Sequence, residues 1–387
     1  MKSAWIGVAC LLAAPAVTAA ENSEAETGLV QRASLWMDRV LEELGADGAY
    51  DPHDGIDWSL LPGPFYTPEK SFGIGISAVG LYQADDVSSN IQPSSITING
   101  FGSVNGAYGV QVRNKSFFDD DRYRLYIEGE FTSSPDIFYG TGIDAGRDES
   151  QLTDFERNAL GITPQFLMRV APATYVGVGY ELSRAKARDL DGAYESGGGP
   201  AFFADTIVSS GVTLHLVHDS RDFVLNASEG HLLQADVAVF SKALGSDQDF
   251  EKYSLTYNDY LSLTQLDAVL AWQWLAEFSS GDVPWDQLSH LGGSHRLRGY
   301  EEGQYRGKQM TLGQAEWRQH LRGRHGMVVW AGLGTVSDSI SQLGDDKWLH
   351  SVGVGYRFEV KPRVNVRLDM GFGNGDSGFY FSVNEAF

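Results

Sequence analysis

The chain of 387 residues has a single cysteine, Cys10, and it falls inside an N-terminal apolar stretch. Few apolar residues precede Cys10 and the run continues past it, so it is not read as a lipid attachment point. Beyond residue 20 there is no thiol, which excludes disulfides and thiolate metal sites. Long hydrophobic runs are also missing: nothing after residue 20 approaches the eighteen or so apolar residues of a membrane helix. Positive charge is scarce, with 29 Lys and Arg against 51 Asp and Glu, a formal net charge of -22. Nucleic-acid phosphates would be repelled by such a surface, so no nucleic-acid partner is expected.

The first twenty residues have the features of a secretory signal peptide. Lys2 supplies the positive start, Ala4 to Ala14 form the apolar stretch, and Thr18-Ala19-Ala20 offers small residues for cleavage. The chain is rich in glycine (45) and in aromatic residues (12%). In residues 21–68, Leu29, Ala33, Trp36, Val40 and Leu44 recur at helical spacing, and Gly45 comes next as a stop signal. One amphipathic helix over 29–44 is expected there, to cap, plug or underlie the larger C-terminal region.

From Phe72 the hydrophobic period changes to two. Tyr123, Leu125 and Ile127 alternate with Arg124, Tyr126 and Glu128. Leu270, Trp272, Trp274 and Phe278 lie opposite Gln273 and Glu277, and Val366, Leu368 and Met370 opposite Asn365, Arg367 and Asp369. Successive strand side chains point to opposite faces. Charged residues on one face of many strands therefore imply a wet lumen, with the apolar face turned to lipid. Strands are predicted near 72–82, 95–104, 107–116, 122–133, 155–170, 174–185, 209–218, 231–242, 250–263, 267–278, 309–319, 325–336, 348–360, 364–372 and 378–387. An even count is required if both chain ends share one side. A sixteenth strand is therefore expected between Ser133 and Ser209. The fold class is all-β, a transmembrane antiparallel barrel over residues 69–387, set in the cell outer membrane beside lipid and lipopolysaccharide. Its acidic loops would meet divalent cations at the lipopolysaccharide surface.

The last predicted strand places Phe379, Phe381, Val383 and Phe387 on one face. A terminal aromatic on an alternating strand resembles the signal by which the barrel-assembly machinery recognises its clients. Glu385 departs from that pattern. In the segment 279–308, a Gly-Gly pair at 292–293 precedes Leu297-Arg298-Gly299-Tyr300. This tetrad, with strands behind it, resembles the arginine loop of the BamA/TamA superfamily of insertases and translocases (the bacterial surface antigens). Other matches cover most of 72–387. Phe72-Gly73-Ile74-Gly75 is similar to the family's first strand. His218-Asp219-Ser220-Arg221-Asp222, leading to Gly230, is similar to a family turn, although Ala227 stands near where a proline is usual. Glu316-Trp317-Arg318 is similar to the strand after the arginine loop.

The resemblance implies that the loop folds into the lumen and that Arg298 pairs with acid on the wall. Arginine suits a confined polar interior because its planar fork makes directed, bidentate hydrogen bonds, and Gly299 would let the chain turn behind it. The family's Phe-x-Asp-x-Gly pattern here reads Trp330-Ala331-Gly332-Leu333-Gly334, so glycine holds the acid's position and Glu316 becomes the expected partner. The stretch before the barrel is too short for the family's POTRA domains, so a POTRA-less type is expected.

Other candidates carry less. His215 and His218 are three apart on a strand and face opposite sides, so no shared metal is expected. Asp47, Asp51, Asp54 and Asp57 lack the spacing of a calcium loop. Ser294-His295 lies in a loop with no acid placed to orient the histidine, so a barrel hydrolase ranks last and no catalytic residue is assigned. Asn114-Lys115-Ser116 is a glycosylation-like triplet, uninformative in a bacterial setting. No cofactor is expected and the protein is not read as an enzyme. The expectation is a barrel that assists insertion or translocation of an unknown protein or lipid client. A passive channel or structural barrel is the alternative.

Overall fold

The computed structural model describes residues 43–45, 50, 55–67, 70–84, 91–194, 206–344 and 347–387. The signal peptide and all but the last two residues of the 29–44 helix lie outside them. Sixteen antiparallel strands close into a barrel. In chain order they are β1 (Asp57–Thr67), β2 (Ser71–Tyr82), β3 (Ser94–Ser103), β4 (Tyr108–Phe118), β5 (Tyr123–Phe138), β6 (Thr153–Ala171), β7 (Thr174–Gly192), β8 (Ile207–Asp219), β9 (Gly230–Phe240), β10 (Phe250–Leu263) and β11 (Ala268–Gly281). Two short strands, β12 (Ser289–Leu291) and β13 (Tyr305–Gly307), pair with each other outside the barrel sheet. The wall resumes with β14 (Gln309–Arg322), β15 (His325–Ser337), β16 (Leu349–Lys361), β17 (Val364–Phe372) and β18 (Ser377–Val383).

The sorting of side chains is the reverse of a water-soluble protein's. On β8, Val212, Leu214 and Leu216 are exposed while Thr213 and His215 are buried; on β2, Phe72, Ile74 and Ile76 are exposed. Arg124, Arg298, Arg367, Glu316 and Asp369 are all buried. Water around the outside would penalise both halves of that arrangement. A hydrocarbon surround favours it, and the closed sheet leaves few main-chain groups unpaired in lipid. Among the described residues no helix is long and apolar enough to cross a membrane.

The sixteenth strand is β1, not a strand between Ser133 and Ser209. Within that interval the described residues form the end of β5, the loop after it, the long β6 and β7, and the start of β8. Strand Asp57–Thr67 lies inside the segment set apart from the barrel, and Phe72-Gly73-Ile74-Gly75 falls on the second strand. The sequence hides β1 because Pro62-Gly63-Pro64 punctuates its alternation like a turn. Proline is tolerated in a sheet where no neighbour needs its N–H, and that is the case here. Leu60 N–H turns away from β2 and donates to the Leu44 carbonyl at 2.8 Å. By the two-residue period, Pro62 and Pro64 also turn their nitrogens toward the closing edge.

That edge is where β1 meets β18. Their register has one pair, Tyr66↔Phe379, whereas β18 pairs with β17 continuously from Val366↔Val383 to Phe372↔Ser377. Beside the prolines, the Phe381 ring lies over Gly63, where a β-carbon would sit 2.4 Å from it. At the turn end of the barrel, Lys361 of β16 reaches Asp57 of β1 at 2.9 Å.

Candidate functional site

Residues 282–308 leave the wall after β11 and fold back between the strands before β14 begins. Apolar anchors hold this loop. Trp285 is fully buried beside Phe138, Phe155 and Phe240, with the Phe155 ring edge-on at 5.1 Å. Leu291, Leu297, Tyr300 and Tyr305 pack with Met310, Leu312 and Val336 of the wall. Polar clamps add direction: Arg296 makes a two-pronged bond to Glu277 on β11 at 2.7 and 3.0 Å, and Arg306 reaches Asp136 on β5 at 2.5 Å.

Arg298 is at the centre of the loop's contacts and is fully buried. Its Nη1 donates to Asp369 Oδ2 at 2.5 Å, and its Nη2 donates to Glu316. The guanidinium lies 3.7 Å from the centroid of the Trp330 ring. A delocalised planar cation is suited to this, because its edge serves acids while its face stacks on an aromatic ring. Glu316 also accepts from Arg318 Nε at 2.8 Å. Asp369 also accepts from Arg357 at 2.6 Å and Arg367 at 3.2 Å. The lumen here holds one continuous chain of guanidiniums and carboxylates.

The tetrad fits because two glycines of the wall leave room for its backbone. A β-carbon on Gly371 would sit 2.8 Å from the Arg298 carbonyl carbon and the Gly299 nitrogen, and one on Gly373 would sit 2.6 Å from the Tyr300 ring. Gly299 has φ +113°, and a β-carbon there would lie 2.6 Å from the Phe372 main chain. Both facts require glycine at that position. Gly299 N–H donates to the Tyr380 hydroxyl at 3.1 Å, tying the loop to β18. The Tyr300 hydroxyl donates to the His350 carbonyl at 2.8 Å.

A buried arginine loop docked on β14 to β18 inside a sixteen-stranded barrel calls for comparison with known proteins. A family model, the Omp85 superfamily domain, matches residues 95–387. This chain belongs to the Omp85 superfamily. The outer membrane protein assembly factor BamA of Nitratidesulfovibrio vulgaris is 26% identical over 282 residues, covering 64% of this chain and 34% of that protein. The chain therefore spans about a third of that relative's length. Among solved structures, BamA from Haemophilus ducreyi lacking POTRA domains 1–3 superposes with a TM-score of 0.54 at 13% identity, covering 92% of this chain and 78% of that one. CdiB from Escherichia coli superposes at 0.55 with 11% identity, covering 87% and 62%. At these identities the superpositions speak for the fold alone. As an Omp85 barrel, the protein is placed in the outer membrane.

Within the Omp85 frame, two of the sequence-predicted residues, Arg298 and Glu316, meet. Asp369 is a second partner that sequence reading missed; its only signal was its place beside Arg367 on the lumenal face of β17. A β-carbon at Gly332 would sit 3.1 Å from Leu297 Cδ1, a tight contact that the leucine would have to yield to. With glycine there, the second carboxylate on Arg298 comes from Asp369 on β17. Ser294 and His295 hydrogen-bond each other at 2.8 Å, and the other imidazole nitrogen faces Arg367 at 3.5 Å. His215 meets Asp236 at 2.7 Å, while His218 meets Thr174 and stacks on His231. In the family turn, Asp219 is buried between Arg124 and Arg221.

The closing strand departs from the predicted pattern at its end. Phe379, Phe381 and Val383 share the face opposite Tyr380, but Phe387 does not join them. Asn384 adopts φ +68°, which breaks the alternation and turns the last residues inward. Glu385 then meets Arg357 at 2.7 Å and Asn365 at 2.8 Å. Phe387 packs near Ala227, Tyr260 and Ala271, and its main-chain oxygen accepts from Arg318 at 2.9 Å. An acid at 385 is the sequence signal for this inward turn, since a lipid-facing carboxylate there would be unfavourable.

Proposed function

We propose that this Omp85 barrel assists the insertion or translocation of a protein, or a lipid, at the outer membrane through the junction of β1 and β18. The observation that carries the reading is the single register pair Tyr66↔Phe379 at that junction. An unzipped edge presents main-chain donors and acceptors that another strand can pair with. Prolines 62 and 64 lack the N–H groups that a ladder with β18 would need. The arginine loop braces the β18 side, so an opening there would leave β14 to β18 together. No cofactor enters this mechanism, and no residue is given a catalytic role.

A cysteine pair at Tyr66 and Phe379 tests it. Directly opposed residues of an antiparallel pair are close enough for a disulfide. The full chain in outer-membrane vesicles is expected to crosslink only in part, or to trap a client. Locking the pair is expected to reproduce the outer-membrane protein or lipid defect of a depletion strain. Fast, complete crosslinking with no such defect would leave a passive or structural barrel.

A further inference from the structure

The outward face of β7 changes character part-way along the strand. Alternate residues point into the barrel: the Ser183 hydroxyl accepts from Gln287 of the loop at 2.9 Å, and Ala185 and Ala187 pack in the cluster around Trp285. The residues between them therefore point outward. Starting from the turn at 172–173, these are Val176, Val178, Tyr180 and Leu182, all exposed, and then Arg184, Lys186 and Arg188. Arg184 and Arg188 are exposed and Lys186 is half-buried. In such barrels short turns lie on the periplasmic side and long connections outside. β7 leaves a two-residue turn and ends at the long connection before β8, so the three cations stand at its extracellular end.

Their height in the membrane is set by their neighbours. Arg184 faces Leu160 on β6, and Leu160 faces Phe131 on β5; both of those apolar side chains are 55% exposed. The next outward residue of β6 is Asn158, which faces Lys186, so the apolar band ends at this level. Charge on the lipid face of a barrel is tolerated only near the interfaces, and long cationic side chains reach from there into the headgroup layer. Outward positions on a strand are about 7 Å apart, which spreads the row through that layer.

The rest of the wall uses its arginines differently. Arg124, Arg298, Arg318 and Arg357 each hold a carboxylate inside the barrel. Among the described residues, none of the three outward cations makes an ion pair or side-chain hydrogen bond. Glu156 is opposite Arg188 in register, but its Oε1 accepts from the Ser133 hydroxyl at 2.6 Å. Beyond it Asp154 and Asp191 oppose each other, so positive charge is confined to one band. In a chain of net charge -22, such a band on the lipid side calls for an anion in the membrane.

We infer that Arg184, Lys186 and Arg188 bind the phosphate groups of lipopolysaccharide in the outer leaflet, with its acyl chains lying along Val176, Val178 and Leu182. Phosphate oxygens accept charge-assisted hydrogen bonds from both kinds of side chain, in a forked geometry from arginine and at a point from lysine. The extracellular end of β7 selects this lipid over the phospholipids of the opposite leaflet. This inference does not depend on the β1–β18 junction.

The test is native mass spectrometry of the full chain in mild detergent after incubation with diphosphoryl lipid A, the phosphorylated anchor of lipopolysaccharide. Retained lipid A is expected, with occupancy lowered tenfold or more when Arg184→Gln, Lys186→Gln and Arg188→Gln are combined. Heat-sensitive gel mobility checks that this variant is folded. Dephosphorylated lipid A, offered to the unaltered chain, is expected to be retained as weakly, and that comparison needs no variant. Absence of retained lipid A, retention that survives the triple substitution, or equal retention of the dephosphorylated lipid overturns the inference. Equal retention of phosphatidylglycerol would mean that any anionic lipid is held, and would overturn it too.

Discussion

The two sides of the barrel's junction are built in opposite ways. On one side, β14 to β18 are fastened to the arginine loop by buried charges, by backbone packed into glycine spaces, and by the bond from Gly299 to Tyr380. On the other side, β1 has a full ladder with β2, a Lys361–Asp57 bridge at the turn end, and one register pair with β18. The first side is over-determined and the second barely closed. If the barrel opens at that junction, as proposed, the loop would keep β14 to β18 together.

Breaking the braced side should have the largest effect. Arg298→Ala leaves Glu316 and Asp369 buried with fewer cations, and removing one partner of such a group costs about 3–5 kcal/mol. Urea unfolding of the barrel in detergent should show a loss of that size, with the loop becoming accessible to protease. Arg298→Lys should restore little of it, because an ammonium cannot serve two acids and stack on Trp330 at once. Full recovery with lysine would mean that charge alone holds the loop. Gly299→Ala comes next. The left-handed backbone alone costs roughly 1–3 kcal/mol, and the Phe372 main chain obstructs the new methyl. The expected readout is partial loop release with Arg298 still present.

How much of this was legible in sequence depended on whether the deciding contacts were local. The tetrad at 297–300 and the alternation of the strands are local patterns, and both led to a barrel with an arginine loop. Glu316 was reachable because its neighbours resemble a family strand. Asp369 lies 71 residues from Arg298, and its place beside Arg367 on the lumenal face does not by itself name Arg298 as its partner. β1 was missed because prolines that read as a turn are, in the closed sheet, the residues of an edge that needs no donors. Phe387 was placed on the wrong face because one left-handed residue, Asn384, inverts every face after it.

On the weak side a smaller effect is expected from Lys361→Ala. It removes the bridge to Asp57, leaving an acid partly buried, a loss of about 1–3 kcal/mol. The sharper readout is the Tyr66–Phe379 cysteine pair. If the bridge restrains the junction, the crosslinked fraction should fall when Lys361 is removed, while loop protection stays unchanged. A fall in both would mean that the two sides are mechanically one.

The smallest effect lies outside the wall, in the turn between β8 and β9. There Asp222 accepts from the Ser228 hydroxyl at 2.5 Å and its amide at 3.0 Å, and Arg363 from the β16–β17 turn lies 2.8 Å away. Partial burial raises the Asp222 pKa, but the bonds from Arg363 and Ser228 lower it by more, so it lies below the ordinary carboxylate value. A depressed pKa means that the native state favours the charged form. The contribution is therefore complete above the unfolded value near about 4 and is lost as pH falls through the lower folded value. Both partners are partly exposed, so Asp222→Asn should cost about 1 kcal/mol or less at pH 7. The difference from the parent should shrink as the pH of unfolding is lowered past the ordinary carboxylate value and vanish once it has fallen through the depressed folded value. A difference that persists in acid would show that the turn depends on the shape of the side chain and not on its charge. The clasp would then be indifferent to pH.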